Sequence, residues 1–290
     1  MTEILGVGVA TVDIINFTEE YPGPDDEVRA IAQQKRRGGN VANTLSVLKQ
    51  FQHRCRWLGA LADDDAAQFI RQDLRQQGIV VENAGAMTGI TPTSYIIVAN
   101  NSASRSIVHY RQLDELSFEQ FCQVDLAGVE YCHFEGRHPR ETAKMLDWLK
   151  HNRPQLPYSV EFEKPRPDLH LLGQGAEIIF YSRHFATSLG YEGAEEFLRQ
   201  QNPQNPDAWM VCTWGADGCF YRHSSDASSI VHVAIQALPR VVDSVGAGDT
   251  FIAGFLHCWW QSRDVQTAAQ FANSLAAKKC SQIGFQDLSK

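Results

Sequence analysis

The sequence predicts an α/β fold: a three-layer α/β/α body on a mostly parallel sheet, with a small β-sheet lid inserted into it. Three observations carry this. Short apolar runs rich in Val, Ile and Leu alternate with helical patterns along most of the chain. Two extended stretches, within about 13–37 and 91–111, interrupt that rhythm. A Gly-Ala-Gly turn at 246–248 opens directly into an apolar helical run. With 290 residues and 43% hydrophobic content, the chain can fill one large domain or two modest ones.

Taken in order, residues 4–10 read as a buried strand and 45–51 have helical spacing. Residues 55–61 follow as a strand. Residues 66–77 form a polar-faced helix that Gly78 stops. Strands are predicted over 129–134, 159–162, 178–181 and 210–213. Helices are predicted over 140–151, 194–201 and 267–279. In the interrupting stretches, residues 28–32, 94–98 and 106–110 read as lid strands. Asn100-Asn101-Ser102-Ala103-Ser104 makes the last two a hairpin. So few strands cannot bury both faces alone, so the lid is expected to close on a ligand or pair with a second lid.

Composition excludes several classes. Net charge is −8, and the longest basic run is Lys35-Arg36-Arg37, which disfavours nucleic acid. Residues 1–8 carry no basic region before their apolar run, so they are read as a strand and not a signal peptide. No apolar stretch reaches the ~18 residues that span a bilayer. Seven scattered cysteines without Cys-x-x-Cys, and ten scattered histidines without His-Glu-x-x-His, argue against a disulfide framework or zinc site. A reducing cytoplasmic setting is expected.

The chemistry concentrates in Asp243-Ser244-Val245-Gly246-Ala247-Gly248-Asp249-Thr250-Phe251. Gly246 and Gly248 have no side chain to block a ligand, and amides at a helix start can face an oxyanion. Asp249 then stands beside that pocket, suited to take a proton from a hydroxyl. An anion cradle next to a base is what phosphoryl transfer to an alcohol needs. The tripeptide alone reads sooner as a tight loop, and the Asp as a cap. Asp13 follows the first predicted strand, where ligands collect in parallel sheets. In Arg37-Gly38-Gly39-Asn40-Val41-Ala42-Asn43, a Gly-Gly turn opens a helix, and Asn40 and Asn43 share one face. One carboxylate and two carboxamides suit vicinal hydroxyls. Asp63-Asp64-Asp65 are expected to cap the helix after them rather than bind metal. No Gly-x-x-x-x-Gly-Lys-Ser/Thr occurs; Thr213-Trp214-Gly215-Ala216-Asp217-Gly218 offers a tight turn at the ligand edge instead.

The run from Asp243 through Ala253-Gly254-Phe255-Leu256 resembles the C-terminal signature of the PfkB (ribokinase-like) carbohydrate kinases. The Gly-Gly-Asn segment resembles their N-terminal signature, and the motifs keep their order over roughly residues 4–285. The resemblance implies one ribokinase-like domain over 1–290, with Asp249 as general base and Gly246, Ala247 and Gly248 as the anion hole. It implies sugar contacts from Asp13, Gly39, Asn40, Asn43 and Arg105, with Asp25 in a lid turn reaching a neighbouring subunit's sugar. Thr213, Gly215 and Gly218 would line the nucleotide phosphates, and Ala276 and Cys280 the adenine. ATP, Mg²⁺ and, as in some relatives, K⁺ are the implied cofactors, and lids that clasp into a homodimer the implied assembly.

His133-Phe134-Glu135-Gly136-Arg137, Ser159-Val160-Glu161-Phe162-Glu163-Lys164-Pro165-Arg166 and Lys278-Lys279-Cys280 with Gly284-Phe285 are similar to the ketohexokinase (fructokinase) branch. That implies a ketose substrate, with fructose to fructose 1-phosphate the leading reaction. Another sugar, a fructosamine or a nucleoside stays open, as does a non-catalytic sugar sensor. Many PfkB kinases carry Asn-x-x-Glu where this chain has Ser182-Arg183-His184-Phe185, so a magnesium role either passes to other groups, with Glu161 and Glu163 the candidates, or is weakened. Gly6-Val7-Gly8-Val9-Ala10-Thr11 begins like a dinucleotide fingerprint but has Thr11 at the third glycine position.

Overall fold

The computed structural model describes residues 1–82, 84–85, 87–101, 105–202, 205, 207–236 and 238–290. In chain order the strands begin with β1 (Glu3–Val7), β2 (Thr11–Thr18), β3 (Ala32–Gly38), β4 (Arg54–Leu58), β5 (Val80–Val81), β6 (Ile90–Ala99) and β7 (Arg105–Gln112). They continue with β8 (Tyr131–Glu135), β9 (Tyr158–Phe162), β10 (Ile178–Tyr181), β11 (Trp209–Thr213), β12 (Cys219–His223) and β13 (Val231–Val233). The helices are α1 (Asn40–Gln50), α2 (Asp65–Gln76), α3 (Phe118–Phe121), α4 (Pro139–Asn152), α5 (Arg183–Ser188), α6 (Ala194–Gln200), α7 (Ala247–Ser262) and α8 (Val265–Cys280).

Among the described residues, nine strands form one sheet in the order β13-β12-β11-β10-β9-β8-β1-β4-β5. Pairing is parallel from β11 to β5, and β12 and β13 extend the edge antiparallel. Strands buried on both faces read as unbroken apolar runs, and successive residues part to opposite sides. Ile4, Tyr131, Ile178 and Val211 join one core with α1, α2, α7 and α8. Leu5, Cys132, Ile179 and Cys212 join the other with α4, α5 and α6. The three-layer expectation is borne out.

Helix α7 is anchored along most of its length. Phe251, Phe255, Leu256 and Trp259 are buried, each contributing about 1.5–3 kcal/mol of burial. Phe180 meets Phe255 edge-on at 5.3 Å. A side chain on Gly254 would come within 3.0 Å of Leu275, so the missing one lets α8 lie close against α7. The N-terminus of α7 is thereby held over the carboxyl edge of the sheet.

The second sheet has the order β3-β2-β6-β7. Its β2–β3 and β6–β7 pairs are antiparallel, and β2–β6 is parallel. Two expectations need correction here. The first strand stops at Val7 rather than Ala10, because Gly8 lets the chain leave the sheet and Val9 donates its amide to Glu135 Oε2 at 2.9 Å. Asp13 therefore lies within β2 of the small sheet and not just past the first body strand. The partner of β2 is also not 28–32 but Ala32–Gly38, whose Gln, Lys and Arg residues form a polar edge; the apolar alternation of Val28 and Ile31 belongs to an exposed connection. The hairpin of β6 and β7 stands as expected, with residues 102–104 of its turn outside the described residues.

Candidate active site

The N-terminus of α7 meets α1 at the edge of the large sheet. Gly246 is the N-cap with φ 78°, a left-handed conformation that favours glycine, and a side chain there would strike the Phe285 ring at 2.3 Å. Gly248 differs: a side chain added to it meets nothing within 4 Å. The Ala247 amide is already used, donating to the Ser244 carbonyl at 3.2 Å. Those of Gly248 and Asp249 have no acceptor among the described residues and face the approach to the helix end.

Asp249 lies in the first turn of α7 and is 6% exposed. Its Oδ2 accepts a hydrogen bond from Asn43 Nδ2 at 2.7 Å. Asn43 reaches it because α1 begins abruptly at Gly39, whose φ of 105° and contact with the Val9 carbonyl (2.1 Å from a hypothetical side chain) admit only glycine. Arg37, which the motif reading left unassigned, fixes the amide's orientation. Its Nη1 donates to Asn43 Oδ1 at 2.8 Å, so the NH₂ end must face Asp249. Nη2 of the same guanidinium bonds Ser46 at 2.7 Å, and Nε bonds Asp73 at 2.6 Å. Arg37 could not be singled out in advance, since its partners are scattered over α1 and α2.

Carboxylates gather around this centre. Burial first, then the charges of Glu163 and Glu135, raises the Asp249 pKa to about 7, against the Asn43 bond and Arg37. Glu161 is raised well above the ordinary carboxylate range, through burial and the charges of Asp249, Glu135 and Glu163. Burial and mutual repulsion thus hold both carboxyls protonated to a higher pH than a free carboxylate. Asn40 Nδ2 donates to both Glu161 oxygens at 3.2 Å. The structure thus joins Asn40, Asn43, Asp249 and Glu161 in one cluster. Glu163 is partly exposed and pairs with Lys164 at 3.3 Å. No group of three or more His, Cys, Asp and Glu side chains is arranged to hold a metal among the described residues. Buried oxygen donors carrying excess negative charge still fit Mg²⁺, which keeps its own waters and binds through one or two carboxylates plus phosphates.

Asp13 accepts from Thr11 Oγ1 at 3.0 Å, and burial raises its pKa, opposed by the Thr11 and Ser94 hydroxyls. Ser94 Oγ lies 3.2 Å from His109 Nδ1 on the neighbouring strand, a residue sequence reasoning passed over because it reads as an exposed strand position. Asp13 and Asn43 line a cavity of ≈ 870 Å³ with Arg36, Arg37, Val245 and Phe285. Arg105 is not brought to it: it pairs with Val98 at the far end of β7, exposed. Asp25 sits in an exposed turn with φ 63°.

On the other side of α7, β11 ends at Thr213, and Gly215 and Gly218 follow with φ 63° and 87°. Arg183 stacks over the Trp214 ring at 5.4 Å, bringing a cation to this turn from the segment that lacks Asn-x-x-Glu. A cavity of ≈ 510 Å³ runs beside α8, lined by Asn273, Ser274 and Ala277 together with Ile235 and Leu238. Ala276 instead packs against the core, and the Cys280 carbonyl accepts from the Val242 amide at 2.7 Å. Asp64 caps α2, accepting from the Ala67 amide at 2.7 Å, as expected. After β1 the chain runs into β2 with no helix, so the dinucleotide fingerprint at Gly6 has no structural counterpart.

Comparison with known proteins agrees with this architecture. The chain is 37% identical to ketohexokinase of Mus musculus over 299 residues, covering 99% of this chain and 98% of that one. Ribokinase from Giardia lamblia superposes with a TM-score of 0.84 at 18% identity, covering 99% and 97% of the two chains. A putative ribokinase from Agrobacterium tumefaciens gives 0.83 at 21% identity, covering 98% and 92%. The profile of the pfkB family carbohydrate kinases matches residues 1–290, and the chain belongs to that family of carbohydrate kinases.

Proposed function

We propose that this protein transfers the γ-phosphoryl group of ATP to the primary hydroxyl of a ketose, converting fructose to fructose 1-phosphate. One observation carries the reading. A buried carboxylate, Asp249, is held by Asn43 one residue from the open backbone at Gly248. The 37% identity to a ketohexokinase supports the ketose. Asp249, once ionised, takes the hydroxyl proton. The freed alkoxide attacks γ-phosphorus, the bond to the bridging oxygen breaks, and ADP leaves. The Gly248 and Asp249 amides stabilise charge on the moving phosphoryl oxygens, joined by Gly246 and Ala247 in the turn that presents them.

Asp13, Gly39, Asn40 and Asn43 hold the sugar, with Arg105 reaching it from the lid as the lid closes and Asp25 supplied across a lid-to-lid homodimer. Thr213, Gly215 and Gly218 border the phosphates, and α8, with Ala276 and Cys280 behind the groove at Asn273 and Ala277, borders the adenine. Mg²⁺ supplies charge neutralisation at the nucleotide phosphates, with Glu161 and Glu163 the residues to hold it through water. K⁺ is given no ligand set among the described residues. Seven unpaired cysteines suit a reducing cytoplasm.

An ADP-release assay over a sugar panel tests the reading. The expected result is fastest turnover with fructose, and loss of about 10³-fold or more in Asp249→Asn with sugar binding kept. Turnover on a fructosamine or nucleoside instead would reassign the substrate, and fructose binding with no ADP release at all would make the protein a sensor. A magnesium requirement unchanged in Glu161→Gln would remove that residue from the metal.

A further inference from the structure

Lys279 has no part in the site as described, yet it is fully buried in the last turn of α8. Its Nζ donates to the Asp243 carbonyl at 2.8 Å and to Asp243 Oδ2 at 2.9 Å, and lies 5.6 Å from the centre of the Phe285 ring. Asp243 also accepts from the Val245 amide at 2.9 Å and the Gly284 amide at 3.2 Å. The Val242 and Asp243 amides return bonds to the Cys280 carbonyl at 2.7 and 3.3 Å. Phe285 in turn fills the space beside Gly246. Beyond its internal bonds and Arg36, which lies 3.9 Å from Asp243 Oδ2, the turn ahead of α7 is tied to residues 279–285, and Lys279 brings it a fully buried charge.

Given the phosphotransfer reading above, we propose that Lys279 is a positioning residue for the reaction: its buried ammonium, bonded to both the carbonyl and the carboxylate of Asp243, fixes the turn that presents the Gly248 and Asp249 amides to the migrating phosphoryl group. A buried ion pair that served stability alone would be replaceable by a well-packed apolar side chain. Here the pair ends five residues before Gly248, where a small shift moves donors aimed at developing charge.

The test compares the wild-type chain with Lys279→Met, which keeps the stem and removes the charge. Expected are a kcat lower by about 100-fold, a sugar KM within about twofold, and amide exchange over residues 244–249 faster by about tenfold. A kcat within about threefold of wild type, or unchanged exchange in that segment, overturns the proposal. Should Lys279→Met fail to fold, Asp243→Asn, which leaves the carbonyl contact in place, carries the same readouts. If the wild-type chain phosphorylates no sugar, the functional reading falls, while the exchange measurement still decides whether Lys279 holds the turn.

Discussion

At the scale of the residue, Asp249 is placed where a carboxylate is unfavourable and a base is useful. Its pKa is raised from 3.8 to about 7, chiefly by burial. Turnover should therefore climb as pH rises through about 7, where Asp249 loses its proton, and a pH–rate profile checks this. The stability effect has the opposite sign. A carboxyl with a raised folded-state pKa binds more protons folded than unfolded, so it lowers stability as pH rises from about 4 to 7. Asp249→Asn should then raise Tm by several degrees at about pH 8 and change it little at about pH 4, as thermal scans at both pH values would read. Asp249 and its partner Asn43 both stood out in the sequence, because each lies in a short glycine-bearing motif. Arg37, which orients Asn43, was not: an arginine among polar residues reads as solvated until α2 brings Asp73 to it. The raised pKa of Glu161 was equally hidden, since it depends on burial and on carboxylates far apart in the chain.

At the scale of the element, two glycines of one turn have different reasons to be glycine. Gly246→Ala meets both a left-handed backbone and the Phe285 ring, so it should destabilise the protein by a few kcal/mol, measured by denaturant unfolding. Gly248→Ala meets open space, so its fold and Tm should be kept while kcat falls by about 10–100-fold, the added methyl standing where phosphate approaches. Loss of stability without loss of turnover in Gly248→Ala would reverse that assignment. The body strands were legible because burial on both faces leaves unbroken apolar runs, and the helices because Gly78 or a polar flank ends them. Strand β3 was not, since Gln33, Gln34, Lys35, Arg36 and Arg37 carry no apolar alternation and are paired only through β2. The antiparallel edge of β12 and β13 likewise carries mixed residues that no period marks.

At the scale of the whole molecule, the small sheet ends in an unpaired edge strand whose Ile107 and Val108 are 52% and 68% exposed, beside Tyr95 and Tyr110. A bare apolar edge of this kind is suited to a second copy. The double variant Ile107→Glu with Val108→Glu should convert a dimer to a monomer in light scattering, with the body's Tm little changed. A parent that is monomeric at every concentration would remove the dimer. Asn43 and Asp249 lie far apart in the chain. The bond joining them closes a loop of 206 residues. No fragment emerging from a ribosome can hold that bond until α7 has been made and docked on α1. Nascent or C-terminally clipped chains would be unable to spend nucleotide, so competence arrives only once both ends of the polypeptide have met.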